Sequence, residues 1–266
     1  MVYASENNLY YFDSANPNHV RQVEGTPNKN AVLELFANNH SVYATTLDKL
    51  VLRLVASDDG IKFDKSLDLK SAASKGIGAA DDVIYVLKSN GELEEVDAVE
   101  MTVKREHKLT CDPTAITFSD ATKEIWVGDK KGLLHVLKAE DFSEVHSIEK
   151  HSKAVTCLAV TACGKHVASG DAYRYQYIWD SATRTMTGEH GFQKDKITSL
   201  RFNKDGTRLV STSTDLSLGV VNLTDNSTKK KANPHSVKAL SHAAFCANGD
   251  LYSAGDDCVI RIWKNI

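Results

Sequence analysis

The sequence contains little that would support catalysis, membrane insertion or a covalent framework. It has only four prolines, and no apolar run approaches the about 18 residues that a membrane helix needs. The five cysteines are odd in number and include no C-x-x-C pair, which argues against a disulfide framework or a structural zinc site. Cysteines of this kind favour a reducing compartment. We therefore expect a cytoplasmic protein without a bound metal, a cofactor or a membrane partner.

Charge and motifs exclude further classes. The net charge is −3 and neither half of the chain is basic, whereas phosphate binding needs clustered lysine and arginine. The one basic run, Lys229–Lys231, is interpreted as a solvated loop. The sequence has no G-x-S-x-G elbow, H-E-x-x-H helix or P-loop. It therefore predicts neither a nucleic acid partner nor an enzyme, and no catalytic residue is assigned.

What the sequence does contain is a repeat. Seven short apolar segments recur at steps of 41 or 42 residues, and two of them end in an aromatic residue and an acid, Phe12-Asp13 and Trp179-Asp180. Their end points are Asp13, Val55, Asp97, Lys138, Asp180, Asn222 and Lys264. A fixed period of ~40–45 residues with such an ending is typical of WD-repeat blades. The pattern predicts an all-β fold, a seven-bladed WD-repeat β-propeller, with residues 1–266 as one domain.

Each period contains short strands between turns. In the last one, Leu240–Cys246, Asp250–Ala254 and Val259–Trp263 are β-rich and are separated by Asn, Gly and Asp turn residues. Alternation of polar and apolar residues is weak in segments such as Val83–Leu87. A propeller accounts for this, because each blade is packed between two others and its inner strands are buried on both faces.

A polar network of the WD type is also predicted. WD blades carry a His before the first strand, a Ser or Thr in the second, an Asp in the turn and a Trp in the third. The last three repeats supply these residues as follows: His235, Ser253, Asp257 and Trp263; His190, Ser211 and Asp215, with Val221 replacing the Trp; and His151, Ser169 and Trp179, with Tyr173 at the Asp position. Because the sets recur, they are interpreted as packing devices and not as catalytic triads.

Several segments resemble one particular family. They are Ile125–Asp129 with Leu133–Leu137, Val167–Ala172, Lys196–Phe202 and Leu251–Trp263. In order and spacing they resemble the carboxy-terminal half of the actin-interacting protein 1 family, whose members have two linked seven-bladed propellers. The likeness covers the whole chain and is stronger after Pro113.

This resemblance implies a function. Members of the family bind actin filaments decorated with cofilin (actin-depolymerising factor) and promote filament disassembly without consuming a nucleotide or a metal. It implies a module of the actin cytoskeleton whose partners are actin, cofilin and an amino-terminal propeller of the same parent chain. Two alternatives are a WD scaffold for a complex unrelated to actin and, with less support, a propeller enzyme acting through His and Asp in the central channel.

The repeat arithmetic also predicts incomplete blades. Seven full periods would need about 294 residues, and the chain has 266. The first repeat then lacks its innermost strand and the last lacks its outer one. We expect residues outside this sequence to supply the missing strands, and the alternative is a native small protein.

Loops on a rigid scaffold are common binding sites, and three loops carry candidate contact residues. Their candidates are Asp171, Tyr173, Arg174 and Tyr175 in the first, Phe192 and Lys194 in the second, and Lys130 and Lys131 in the third. Tyr and Arg are enriched among interface hot spots. The alternatives are that the two tyrosines fill the gap between blades, that the Phe192 ring is tucked in, and that the lysines are merely solvated.

Overall fold

The computed structural model describes residues 1–13, 16–37, 41–70, 74–80, 82–232, 235, 240–246, 248–255, 257 and 259–264. All regular structure in this part of the chain is β-strand, so it contains no helix that could cross a membrane. The predicted all-β class is confirmed.

The first of two compact units spans Met1–Pro113 and contains three antiparallel sheets. Each sheet follows the chain order of its strands. The strands are β1 (Val2–Ser5), β2 (Asn8–Asp13) and β3 (Asn16–Gln22); β4 (Val32–Ala37), β5 (Ser41–Thr46), β6 (Leu50–Ser57) and β7 (Gly60–Asp68); and β8 (Ser74–Ala80), β9 (Val83–Lys88), β10 (Glu92–Asp97) and β11 (Val103–Lys108).

The second unit spans Thr114–Ile266 and contains four antiparallel sheets with the same strand order. The strands are β12 (Pro113–Ser119), β13 (Glu124–Asp129), β14 (Leu133–Lys138) and β15 (Glu144–Glu149); β16 (Val155–Val160), β17 (His166–Asp171), β18 (Gln176–Asp180) and β19 (Met186–His190); β20 (Ile197–Phe202), β21 (Arg208–Ser213), β22 (Ser217–Asn222) and β23 (Thr228–Ala232); and β24 (Leu240–Phe245), β25 (Leu251–Gly255) and β26 (Ile260–Trp263).

The predicted repeat boundaries coincide with strand ends. Strands β2, β10, β14, β18 and β22 end at the predicted residues, whereas β6 ends at Ser57 and β26 at Trp263. The later end of β6 reflects its long hairpin with β7, in which the two strands pair until Ser57 meets Gly60. The first and last sheets have three strands each among the described residues.

The hydrophobic core lies between neighbouring sheets. In one cluster Trp126 of β13 and Leu134 of β14 pack with Leu158 of β16 and Trp179 of β18. Every residue of β13 is buried, which confirms that inner strands lose their alternation because both faces are covered. Burying a large apolar side chain contributes roughly 1.5–3 kcal/mol, so these clusters hold the sheets of each unit together.

Neighbouring inner strands of the second unit are also joined by threonines. Thr156 lies where the pairing of β16 with β17 shifts register, between Val155 and Cys157. Its hydroxyl donates to the carbonyl of Ile197 on the next inner strand, at 2.5 Å. One blade earlier, Thr114 donates to the carbonyl of Val155, also at 2.5 Å. We call these two interactions the threonine clasps.

Candidate protein-interaction surface

The loop after β17 is held from below by a buried polar network. His151 contacts Asp171 through Nδ1 at 3.1 Å and Ser169 through Nε2 at 2.7 Å. The indole N–H of Trp179 donates to the same serine oxygen at 2.9 Å. The structure therefore brings together the predicted His, Ser and Trp. Tyr173 lies four residues after its serine, where the next two blades have Asp, and Asp171, two residues earlier, supplies the acid instead.

Asp171 also fixes the backbone of the loop. Its Oδ1 accepts hydrogen bonds from the backbone N–H groups of Tyr173, Arg174 and Tyr175, at 3.0, 2.8 and 2.9 Å. Its carboxylate is fully buried, so the prediction that Asp171 contacts a partner is wrong. Burial would raise the pKa of Asp171, but the hydrogen bonds from His151 and the three backbone N–H groups outweigh it and lower the pKa.

The last blade repeats this arrangement with all four predicted residues. His235 contacts Asp257 at 2.7 Å and Ser253 at 2.8 Å, and Trp263 donates to Ser253 at 2.9 Å. Burial works to raise the pKa of Asp257, but hydrogen bonds from His235, Arg261 and the Val259 backbone lower it to about 2.

The sixth blade differs from the prediction. Gln193, which is buried, accepts a hydrogen bond from Ser211 at 2.8 Å and one from Gln176 at 2.7 Å. His190 lies on the outer strand β19 instead, so the prediction that it contacts Ser211 is wrong. The separation from Ser211 to Gln193 is 18 residues, as it is from each serine to the histidine in the neighbouring blades. That spacing is the signal that identifies Gln193.

Asp215 holds a different set of partners in the same blade. It accepts hydrogen bonds from the backbone of Lys194 at 2.8 Å and of Ser217 at 3.0 Å, and from the Lys230 ammonium at 2.8 Å. Burial works to raise its pKa, but these bonds outweigh it and lower the pKa to about 2. Asp215 therefore anchors the turn between β21 and β22 to the loop that precedes β20.

The His–Ser–Asp sets cannot act as triads in this arrangement. Ser169 and Ser253 are at most 2% exposed, and a nucleophile must reach its substrate. Each serine oxygen also accepts a hydrogen bond from a tryptophan. Among the described residues, no group of three His, Cys, Asp or Glu could hold a metal ion. The networks therefore serve to hold loops.

Above the network, the loop presents tyrosine and arginine. The Tyr173 side chain is 48% exposed. The Arg174 guanidinium lies 5.1 Å from the centre of the Tyr173 ring and 5.2 Å from that of Tyr175. The Tyr175 ring stacks on Tyr177 at 6.1 Å, so it fills a gap beside the core, as the alternative for the tyrosines requires. Tyr173 and Arg174 are thus the accessible part of this loop.

The next loop presents charge and not an aromatic ring. The Phe192 ring is tucked against Gly219, where an added Cβ would lie 2.3 Å from it, and packs on the core cluster of the fifth and sixth blades. Lys194 is exposed. The Phe192 ring is therefore packed into the protein, as one of the two alternatives for it required, and it holds the loop in place.

Lys130 and Lys131 occupy the turn between β13 and β14. Both are exposed, and Asp129 below them accepts hydrogen bonds from the backbones of Lys131 and Leu133 at 2.9 and 2.8 Å. Gly132 has φ +94°, and an added Cβ there would lie 2.3 Å from the carbonyl oxygen of His151. The turn is therefore seated directly on the loop that leads into β16.

Together these loops form a surface whose positive charge is not apparent from the net charge of the chain. In an antiparallel blade, alternate turns lie at opposite ends of the sheet. The turns at one end of the second unit carry seven exposed or partly exposed cations, and Asp195 is the one fully exposed acid in these turns among the described residues. We call this surface the basic loop face; its cations are Lys130, Lys131, Lys150, Lys153, Arg174, Lys194 and Lys196.

The turns at the other end of the second unit have the opposite balance. In their described residues, six exposed or partly exposed acids accompany four cations. The acids are Asp120, Glu140, Asp141, Asp205, Asp225 and Asp250, and the cations are Lys123, Lys165, Arg184 and Lys204. Net charge over a whole chain averages the two ends, which is why the sequence showed no basic half.

Comparisons with known proteins agree with this architecture. The family described as WD domain, G-beta repeat matches residues 142–180, 182–220 and 227–264. A chain in the crystal structure of the mitotic checkpoint complex superposes with a TM-score of 0.83 over 99% of this chain and 83% of its own, at 14% identity, a likeness that concerns the fold alone. The fold is a seven-bladed β-propeller with WD40 repeats.

Relatives of this propeller are longer proteins. The 66 kDa stress protein of Physarum polycephalum is 29% identical over 157 residues, which are 57% of this chain and 26% of that protein. The uncharacterized WD repeat-containing protein C9G1.05 of Schizosaccharomyces pombe is 27% identical over 162 residues, 59% of this chain and 27% of that protein. WD repeat-containing protein 55 of Arabidopsis thaliana is 28% identical over 171 residues, which are 64% of this chain and 45% of that protein. The matched region thus spans between a quarter and a half of these proteins.

Proposed function

We propose that this propeller is an actin-binding regulatory module, which acts with cofilin to promote disassembly of actin filaments through protein contacts and without catalysis. The observation that carries the proposal is the loop of Tyr173 and Arg174, which is exposed and rigidly held. Tyr and Arg are the residue types that dominate interface energies. The resemblance of the repeats to the actin-interacting protein 1 family supplies the identity of the partner.

The geometry supports binding with little loss of entropy. Three backbone hydrogen bonds to Asp171 fix the loop before any partner arrives. A loop that is ordered beforehand avoids the cost of ordering on association. The Arg174 guanidinium already lies beside two tyrosine rings, so the side chain is also oriented in advance.

The proposal includes a division of labour within a longer protein. The regions matched in the two microbial relatives are 26% and 27% of those proteins, which leaves room in each for a second domain of this size. Two linked propellers with one weak site each would gain ~10²–10⁴ in apparent affinity through effective concentration. Such a protein would favour cofilin-decorated filaments over bare ones in proportion to its differential affinity for them. Both partners imply a cytoplasmic location on the actin cytoskeleton.

The second candidate function is a WD scaffold for a complex unrelated to actin. Its support is the fold itself, since β-propellers host many unrelated functions. It shares with the first proposal a protein partner and the same exposed loop, and differs only in the identity of that partner.

Co-sedimentation with actin filaments, with and without cofilin, separates the two. We expect pelleting of the folded chain that depends on cofilin and that falls at least about tenfold in Tyr173→Ala and Arg174→Glu. Met186→Ala, which removes a 42% exposed side chain from the outer strand β19, is the matched control and should pellet normally. Absence of pelleting in both conditions favours the scaffold. Pelleting that the two loop variants leave intact places the contact elsewhere.

A further inference from the structure

We infer that the basic loop face docks an acidic polypeptide segment, a stretch of chain rich in Asp and Glu that lies across the turns of the fourth, fifth and sixth blades. The inference rests on the proposed function in placing a protein partner on these loops. It goes further in naming the chemistry of the partner and the lysines that recognise it.

The first argument is continuity of the surface. The turn of Lys130 and Lys131 is seated on the loop of Lys153, because a Cβ added at Gly132 would lie 2.8 Å from the Lys153 carbonyl oxygen. That loop is bonded to the next, since the Ala172 N–H donates to Ala154 at 2.8 Å. The fourth and fifth blades therefore present their cations on one connected set of loops.

Continuity extends to the sixth blade. An added Cβ at Gly191 would lie 3.0 Å from the Tyr175 ring, so the loop of Lys194 and Lys196 adjoins the tyrosine loop. The Thr214 N–H donates to the Lys196 carbonyl at 3.0 Å, which ties this loop to the turn of its own blade. A ligand that crossed the face would meet fixed backbone throughout.

The second argument is that these charges, apart from that of Lys150, which pairs with Glu189 at 3.2 Å, are not neutralised by ion pairs among the described residues. Lys130, Lys131, Lys153 and Lys196 form no ion pair among the described residues. Two acids of these turns, Asp129 and Asp171, are buried instead and bind backbone N–H groups, whereas Asp195 is exposed. Placing the acids under the loops and the lysines above them leaves a surface whose charge is open to a partner.

The third argument selects a polypeptide over other polyanions. The cations are spread over three blades and do not converge on a single pocket, which suits an extended chain of carboxylates more than a compact phosphate group. Tyr173 and Arg174 stand in their midst, and stacked Tyr and Arg side chains are frequent anchors of protein interfaces. Lysine ammonium groups are flexible point charges that tolerate an irregular array of carboxylates. Charge complementarity of this kind determines the rate and specificity of association.

The test uses a labelled poly-glutamate peptide, with fluorescence anisotropy as the readout and the folded chain as the receptor. We expect binding at low salt that weakens as salt rises, because exposed charges are screened beyond about 10 Å at 0.1 M. Reversal of Lys130, Lys131, Lys153 and Lys196 to Glu should weaken binding by at least about tenfold, since each exposed charge contributes a modest share. A Lys→Gln version of the same set, which is milder, should lie between.

The matched control makes the same change at the other end of the unit. Lys123, Lys138, Lys165 and Lys204 are exposed there or at the adjoining strand end, and their reversal to Glu alters the net charge equally. We expect this control to bind the peptide within about threefold of the parent chain. Equal losses in the two variants would overturn the inference, since binding would then follow net charge alone. Circular dichroism melts of all variants establish that they are folded.

Two further probes decide the class of ligand. Vesicles of phosphatidylcholine and phosphatidylserine and a short DNA duplex are offered under the same conditions. Binding to either of these in preference to poly-glutamate, or no binding to any probe at low salt, overturns the inference. Because actin and cofilin are absent, the peptide result is independent of the co-sedimentation result. Peptide binding without filament pelleting would contradict only the actin proposal. Filament pelleting without peptide binding would contradict only the inference of an acidic peptide site.

Discussion

Gln193 accepts a 2.8 Å hydrogen bond from Ser211, 18 residues further along the chain, at the position where the blades on either side have a histidine. Its amide also donates to the carbonyl of Ser217 at 3.2 Å. A glutamine thus takes the place of the histidine beside the serine and, in addition, links the second and third strands of its blade. The network survives a change in the residue type that defines it.

Removal of Gln193 should therefore destabilise the protein more than removal of His190. Gln193→Ala removes the buried amide oxygen that accepts from both Ser211 and Gln176, which then keep the 3.1 Å hydrogen bond between them. We therefore expect the free energy of unfolding to fall by about 2–3 kcal/mol. His190→Ala, on the half-buried outer strand, should cost about 1 kcal/mol or less. Urea denaturation of both variants measures the difference. A larger loss for His190→Ala would restore the original assignment from sequence.

Acid should remove the stabilisation that Asp215 provides. Its pKa in the folded protein is about 2, below the ordinary value of 3.8, and its side chain is only 7% exposed. A depressed carboxyl pKa stabilises the folded state above the unfolded pKa and loses that effect as the pH falls through the folded one. We expect Asp215→Asn to lower the free energy of unfolding by about 2 kcal/mol at pH 7.

The difference in the free energy of unfolding between Asp215→Asn and the parent chain should become smaller as the pH falls from about 5 towards 2. Urea denaturation at several pH values follows it. Asp58→Asn removes a charge from an exposed hairpin residue and serves as the control. A gap for Asp215→Asn that is constant with pH would contradict the ion-paired, hydrogen-bonded role of this carboxylate.

The threonine clasps should contribute measurably to stability. Thr156→Val keeps the shape of the side chain but leaves the Ile197 carbonyl without its hydroxyl partner, so a loss of about 1–2 kcal/mol is expected. Thr224→Val in an exposed loop controls for the loss of a hydroxyl and should change little. Thermal melts of the two variants make the comparison, and equal melting temperatures would mean that the clasp contributes nothing.

Cysteine reactivity should separate Cys163 from Cys157. Cys163 is exposed, and hydrogen bonding with the Thr161 side chain and the backbone of Lys165 lowers the pKa of its thiol. Cys157 is buried, and burial raises the pKa of its thiol to about 12. Since the thiolate is the reactive form, labelling of the native chain with iodoacetamide should modify Cys163 first, and Cys163→Ser should abolish the fast phase. Peptide mass spectrometry locates the label; Cys258 lies outside the described residues. Early labelling of Cys157 would show that its blade opens.

The sequence determined the blades better than the surface. The period placed the ends of β2, β10, β14, β18 and β22 at the right residue, because each repeat must bury the same strands. The period did not predict the long β6–β7 hairpin, since Ser57 and Gly60 are the last pair before a turn whose position the period does not constrain. The ends of strands could thus be predicted where packing between blades determines them. They differed from the prediction where the hairpin extends into solvent.

The surface was harder for two physical reasons. Asp171 and Tyr173 are both plausible turn residues, and only the fold reveals which of them faces His151 and which faces solvent. The basic loop face is assembled from turns that are far apart in the chain, and net charge sums them with the acidic turns at the other end. Once the order of the strands is known, the rule that alternate turns lie at the same end of a blade identifies the basic loop face.

The threonine clasps have a consequence for how such a chain can change over generations. Each clasp reaches forward by the same distance, from Thr114 to Val155 and from Thr156 to Ile197, 41 positions in both cases. The duplication or loss of one whole repeat would therefore leave every remaining hydroxyl facing a carbonyl of its neighbour. A single inserted residue inside an inner strand would break that register at once. Unequal crossing-over between repeats is thus tolerated by the same bonds that resist small insertions.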